Sequence, residues 1–289
     1  MQEYNFAVFI LTHGRPDNVK TIPTLKKCGY TGNIYFIVDD EDKTIDKYIE
    51  NYGVDKVKIF NKKYYADLVD EGNNFDERRT ITHARNACFD IAKQIGVEYF
   101  VQLDDDYQGF YFKALNKDGT GLVSKPIKNL DKIFNIFLNF YSKSPFTSIA
   151  FAQGGDFIGG ITNGLVKNGW TIRRKCMNSF FCCVNRPFQF IGGMNEDVNT
   201  YCTLGSRGVL FGTIPLVFLT QTATQSNKGG ITDMYLRYGS YSKAFTTVMM
   251  HPSSVSIITM PSMNHTGRLH HRIKWGNTTP LMLRQIYKK

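Results

Sequence analysis

The N-terminal half of the chain repeats one unit: a short unbroken apolar run, a polar cluster that stops it, then a segment with helical spacing. Residues 6–11 run into Thr12-His13-Gly14-Arg15, residues 34–38 into Asp39-Asp40-Glu41-Asp42, and residues 97–103 into Asp104-Asp105-Asp106. Residues 57–60 form a further run of the same kind. Runs of this length suit strands buried on both faces, and strands alternating with helices build an open parallel sheet. Such sheets bind ligands at the carboxyl ends of their strands, which is where the three polar clusters fall.

The spacing predicts helices over residues 17–27, 45–52 (closed by Gly53) and 82–95, the last with Thr80 or Thr82 as N-cap and Gly96 at its end. Beyond Leu130 the pattern changes to a Phe- and Ile-rich helix over 131–141, Gly-rich loops and β-like runs at 179–184, 209–211, 216–220 and 255–260. The expected fold is α/β: an open, mostly parallel sheet flanked by helices, with a basic, irregular C-terminal extension. No linker divides it, so residues 1–289 read as one domain, with halves at 1–130 and 131–289.

At 289 residues the chain buries enough apolar surface to fold without staples. The six cysteines form no CxxC pair and read as buried thiols of a reducing compartment. No window reaches the roughly 18 apolar residues of a membrane span, and a cytoplasmic location is expected. Charge is more informative. Residues 1–156 carry 20 Lys/Arg and 22 Asp/Glu, whereas residues 157–289 carry 15 basic residues against Glu196, Asp197 and Asp233 alone. A half that is net +12 attracts a polyanion, unless it is simply a solvated basic surface.

Three adjacent carboxylates repel one another and persist where a cation compensates them. At a strand end alternate residues point the same way, so Asp104 and Asp106 converge while Asp105 points elsewhere. Oxygen ligands of this kind select a hard divalent ion, Mg²⁺ or Mn²⁺.

With these residues in view, the chain resembles the GT-A class of glycosyltransferases. Thr12-His13-Gly14-Arg15-Pro16 is similar to the family's first nucleotide-contacting loop, and Asp39-Asp40 to its acids near base and ribose. Ala84-Arg85-Asn86 looks like its Ala-Arg-Asn signature, and the acidic run is a DxD-type motif. Gly192-Gly193-Met194-Asn195-Glu196-Asp197 is similar to the acceptor-side segment of inverting members. The resemblance implies a nucleotide-sugar donor held by Thr12, His13, Arg15, Asp39, Asp40, Arg85, Asp105, Arg268 and Lys274. It implies a metal on Asp104, Asp106 and a late His, with His265 first and His270 or His271 as alternatives. Asp197 would be the general base with Glu196 beside it. For Arg85 a structural ion pair, with Asp76 or Asp90, is the alternative.

The charge partition narrows the acceptor. An enzyme acting on DNA gains affinity from each phosphate it neutralises. Arg173, Arg174, Lys175, Arg272 and Trp275 are the expected nucleic-acid contacts. Aromatic residues among these charges, including Trp170, Phe180, Phe181, Phe190 and Tyr241, either stack on bases or belong to the core. The overall pattern, including the tail His271-Arg272-Ile273-Lys274-Trp275, resembles the TET-associated and phage-type DNA glycosyltransferases. That implies a sugar passed from a UDP-sugar to a 5-hydroxymethylpyrimidine such as 5-hydroxymethylcytosine in DNA, in the host cytoplasm for a phage enzyme. The alternatives are a polysaccharide, lipid or protein acceptor, a sugar nucleotidyltransferase, or a non-catalytic DNA-binding protein. The nucleotidyltransferase normally has a Gly-rich phosphate loop, and Thr12 to Arg15 holds one glycine.

Overall fold

The computed structural model describes residues 4–71, 78–168, 172–222, 239, 241–260, 267–282 and 285. In chain order its first half holds β1 (Phe6–Leu11), α1 (Thr21–Lys27), β2 (Asn33–Asp39), α2 (Ile45–Tyr52), β3 (Val57–Phe60), α3 (Lys62–Asp67), α4 (Thr82–Gln94), β4 (Tyr99–Asp104), β5 (Tyr107–Leu115) and β6 (Leu122–Pro126). Then come α5 (Leu130–Lys143), β7 (Ser148–Gln153), α6 (Gly164–Asn168), β8 (Ser179–Cys183), α7 (Glu196–Gly205), β9 (Phe211–Gln221), α8 (Ser242–Met250), β10 (Val255–Met260), β11 (Arg268–Ile273) and α9 (Trp275–Thr278).

Among the described residues nine strands form the main sheet, in the order β3-β2-β1-β4-β8-β7-β9-β5-β6. The β3-β2-β1-β4 block is parallel throughout. Following the pairings outward, only β8 and β5 run against the common direction. The sheet is therefore open and mostly parallel, as expected of the GT-A type. Alternation along β1 divides the core: Val8 and Ile10 pack with α1 and α5 on one face, Ala7 and Phe9 with α4 and α7 on the other. All six thiols are buried. Among the described residues no helix is long and apolar enough to cross a membrane.

Three departures from the expected elements have local causes. Helix α1 starts at Thr21 rather than at residue 17, because residues 15–20 are spent in turns and Thr21 is held by its amide on the Asp105 carbonyl and its hydroxyl on the Asp104 carbonyl. The runs at 209–211 and 216–220 are not separate strands. β9 is continuous through Pro215, and its register with β7 shifts there, so the missing N–H is absorbed by an irregularity in the ladder. The C-terminal extension is also more regular than expected: α8 packs on an antiparallel ribbon, β10–β11, separate from the main sheet. Strands β5, β6 and β7 and helix α3 add to the elements read from the sequence.

Candidate active site

The parallel block brings the three polar clusters to one edge. The Asp105 carboxylate turns toward the β1 loop, accepting from Thr12 Oγ1 at 2.8 Å and from Arg15 Nη1 at 3.1 Å. Tyr48, on α2, backs this loop with its hydroxyl, 2.8 Å from Thr12 Oγ1 and accepting from the Arg15 amide at 2.9 Å. His13 Nδ1 lies 2.6 Å from Asp39 Oδ2, and Lys62 Nζ lies 3.3 Å from the other Asp39 oxygen. Burial raises the Asp39 pKa, but His13 and Lys62 outweigh it and hold the carboxyl below its ordinary value. The hydrogen bond from His13 to Asp39 in turn raises the imidazole's pKa. Thr12, Arg15 and Asp105 thus form one hydrogen-bonded group and His13 with Asp39 another beside it, with His13 half exposed. Asp40 plays a different part: it accepts from Asn61 Nδ2 and the Lys62 amide and anchors the start of α3.

Asp104 faces away from that loop, toward Arg85. This guanidinium, 1% exposed, donates from Nη2 to Asp104 at 3.1 Å and from Nε to Glu196 at 3.1 Å, while its plane lies over Phe180 and Phe190. Arg85 therefore bridges the DxD-type run and Glu196 at the start of α7, and its burial sets it apart from an open donor contact. Of its two structural alternatives, Asp90 bonds Tyr65 instead, and Asp76 lies outside the described residues. Asp106 forms no ion pair among the described residues, and its carbonyl accepts from the Thr222 amide and hydroxyl. Burial and the neighbouring carboxylates push Asp104 up to about 7, against the pull of Arg85, and Asp106 up to about 6. Two hard oxygen donors whose pKa values stay raised even with Arg85 on Asp104 fit a divalent cation, which commonly takes one or two carboxylates plus substrate phosphates. Among the described residues no group of three His, Cys, Asp or Glu is arranged to hold a metal, and His265 lies outside them.

Asp197, one residue along at the first turn of α7, is buried on the other side of Glu196. Burial and Glu196 raise its pKa, while Lys175 and Lys243 pull it down less strongly, so it is a stronger base than an open carboxylate. Asn195, with φ 54°, precedes the helix and donates to Thr247 Oγ1 at 2.7 Å and the Lys243 carbonyl at 2.8 Å. His271 completes this cluster, its Nε2 3.0 Å from Lys175 Nζ.

The expected nucleic-acid contacts separate under this geometry. Arg173 and Arg272 are exposed. Arg174 is tied to Asp156 at 2.6 Å, Lys175 is turned inward onto His271, and Trp275 stacks on Tyr201. These three side chains, each partly exposed, are thus also engaged by partners within the protein. His271 lies with Lys175 and Asn195, and the Nδ1 of His270 lies 2.7 Å from the His271 carbonyl. Lys274 is exposed at the start of α9, and Arg268 opens β11. Phe180, Phe181 and Phe190 are core, and Trp170 lies outside the described residues.

Sequence reasoning missed Tyr48, Lys62, Asn195 and Thr222. Tyr48 stands on a helix whose spacing drew the eye to packing, and Lys62 opens a short helix that the sequence did not reveal. Asn195 carried a signal, because an Asn directly before two acids at a helix start is a known entrant to left-handed backbone.

The family model of the TET-associated glycosyltransferases matches residues 6–230. No curated protein sequence matches the chain. Among solved structures, the chain is similar to glucosyl-3-phosphoglycerate synthase from Mycobacterium tuberculosis in complex with Mg²⁺ and uridine diphosphate, at 9% identity and a TM-score of 0.47, covering 93% of this chain and 87% of that one. It is also similar to the mannosyltransferase PcManGT from Pyrobaculum calidifontis in complex with GDP-Man and Mn²⁺, at 11% identity, a TM-score of 0.47 and coverage of 85% and 73%. For S. aureus TarS 1–349 in complex with UDP the values are 9%, 0.44, 85% and 64%. With a family match over well more than half its length, the chain belongs to the TET-associated glycosyltransferases.

Proposed function

We propose that the protein transfers a sugar from a UDP-sugar to the hydroxymethyl group of a modified pyrimidine in DNA, with inversion and with help from Mn²⁺ or Mg²⁺. The observation that carries this reading is the Arg85 bridge, which gathers Asp104 of the acidic run and Glu196, next to Asp197, around one buried cation. Donor-side and acceptor-side acids then stand on either side of a single reaction space. Thr12, His13, Arg15 and Asp39 receive the nucleotide, and Arg268 and Lys274 are the proposed cations for its phosphates. Asp104 and Asp106, with His265, are the proposed metal ligands, and the ion supplies charge neutralisation of the diphosphate. The acceptor oxygen attacks the anomeric carbon as the bond from that carbon to the diphosphate oxygen breaks. The hydroxyl proton passes to Asp197, and the diphosphate leaves with the bonding electrons. The target base must leave the stack for its hydroxymethyl oxygen to reach both groups.

The DNA acceptor is supported by the basic character of residues 157–289, the half that carries Asp197, and by the family name. The test is mass spectrometry of plain and hydroxymethylated duplexes after incubation with a panel of nucleotide sugars and Mn²⁺. One added sugar on hydroxymethylated DNA alone is expected, and Asp106→Ala should abolish it. No new mass with any sugar would transfer the reading to a polysaccharide, lipid or protein acceptor.

A further inference from the structure

We propose that the β10–β11 ribbon is the element that contacts a groove of the duplex acceptor, and that Asn195 holds it in place beside Asp197. This rests on the DNA-acceptor reading above. A two-stranded antiparallel ribbon is one of the few elements that a DNA groove admits. Here the register pairs Ser256 with Arg272, Ile258 with His270 and Met260 with Arg268. The intervening pairs, Val255 with Ile273 and Ile257 with His271, include the buried positions Val255 and His271, and α8 packs on the ribbon. By strand alternation the pairs at Ser256–Arg272 and Ile258–His270 therefore face outward. Arg272 is exposed, Met260 is 37% exposed, and the exposed Lys274 follows the strand at the start of α9.

Charge commits this surface to a polyanion. Residues 234–289 contain eight Lys/Arg and no Asp or Glu, so nothing in that segment offsets Arg272 and Lys274. The link to chemistry is short. Asn195 donates to the Lys243 carbonyl and to Thr247 on α8, and lies 3.5 Å from His271 Nδ1 on β11. Its own chain continues directly into Glu196 and Asp197. A duplex seated on the ribbon is thus placed relative to the proposed base by one buried side chain.

The experiment is equilibrium binding of a fluorescent duplex, without donor, to the full chain across a salt series. Hydrogen exchange in parallel maps which segments the duplex protects. Wild-type protein is expected to show protection over 255–260 and 268–273. The variant Arg272→Ala should flatten the slope of log affinity against log salt by about one, and Arg272→Lys should restore it. A melting curve matching wild type shows that the alanine variant is folded. Wild-type affinity and slope in that variant, alongside intact sugar transfer, would overturn the docking surface and leave the acceptor reading standing. Ribbon-dependent binding with no transfer to any hydroxymethylated duplex would overturn the acceptor reading and support the surface. No duplex affinity at all, or protection of the ribbon by a second copy of the chain instead, would overturn the proposal.

Discussion

Arg85 shows how far a motif goes at the scale of one residue. Ala84-Arg85-Asn86 was legible as a signature, but the choice of Asp104 and Glu196 as partners was not. Those acids lie 19 and 111 residues away, and only packing brings them within reach. Removing the cation leaves two carboxylates facing each other in a site with little solvent. Arg85→Met should therefore lower unfolding free energy by about 3 kcal/mol or more. Chemical denaturation measures this, and an unchanged midpoint would show that the bridge adds nothing to the fold. The acidic run adds a pH effect whose sign is fixed. Asp104 and Asp106 titrate near 7 and 6 in the folded protein, above their ordinary value. Their contribution to metal-free stability is present at acid pH and is lost as pH rises through 6 and 7. Metal ligation needs both deprotonated, so the rise in Tm on adding Mn²⁺ should be small at pH 5 and grow up to pH 7.5. Equal rises at both pH values would remove these carboxylates as ligands.

At the scale of elements, the parallel block was the most readable part. β3 and α2 stand at the expected residues, with Gly53 at φ 91° closing the helix. Their signal is local: an apolar run or an amphipathic face, then a residue that stops it. β5 and β6 escaped because β5 begins directly after the acidic run and mixes exposed with buried residues, while β6 has no buried residue at all. α7 depends on a contact invisible to periodicity. Gly205 ends it against the last turn of α9, where a Cβ would collide with the Thr278 carbonyl. Gly205→Ala should cost about 1–3 kcal/mol by overpacking. Because α7 carries Glu196 and Asp197, transfer should fall with it; a wild-type Tm and rate would show that α9 yields freely.

For the whole molecule, charge was the legible feature and sheet order was not. The near-neutral N-terminal half and the basic C-terminal half could be counted directly, and the structure hangs the parallel block with its polar clusters on the first and the ribbon on the second. Nothing in the sequence placed β8 between β4 and β7, because pairing across long separations is decided by the closed core. The order implies that the halves do not stand apart. A chain truncated after residue 168 would lack β8 and leave β4 without its second neighbour. It should accumulate in the insoluble fraction on expression, and a soluble, cooperatively melting fragment would contradict this.

The same sheet order has a consequence for synthesis. A ribosome that has released the first 150 residues presents β4 with one side unpaired, its acidic run at the tip and Glu196 not yet made. The edge closes when β8 emerges and inserts, and Arg85 gains its second carboxylate only after that. The nascent chain therefore carries its DxD-type run through the synthesis of a further 90 residues before Glu196, the second partner of Arg85, exists.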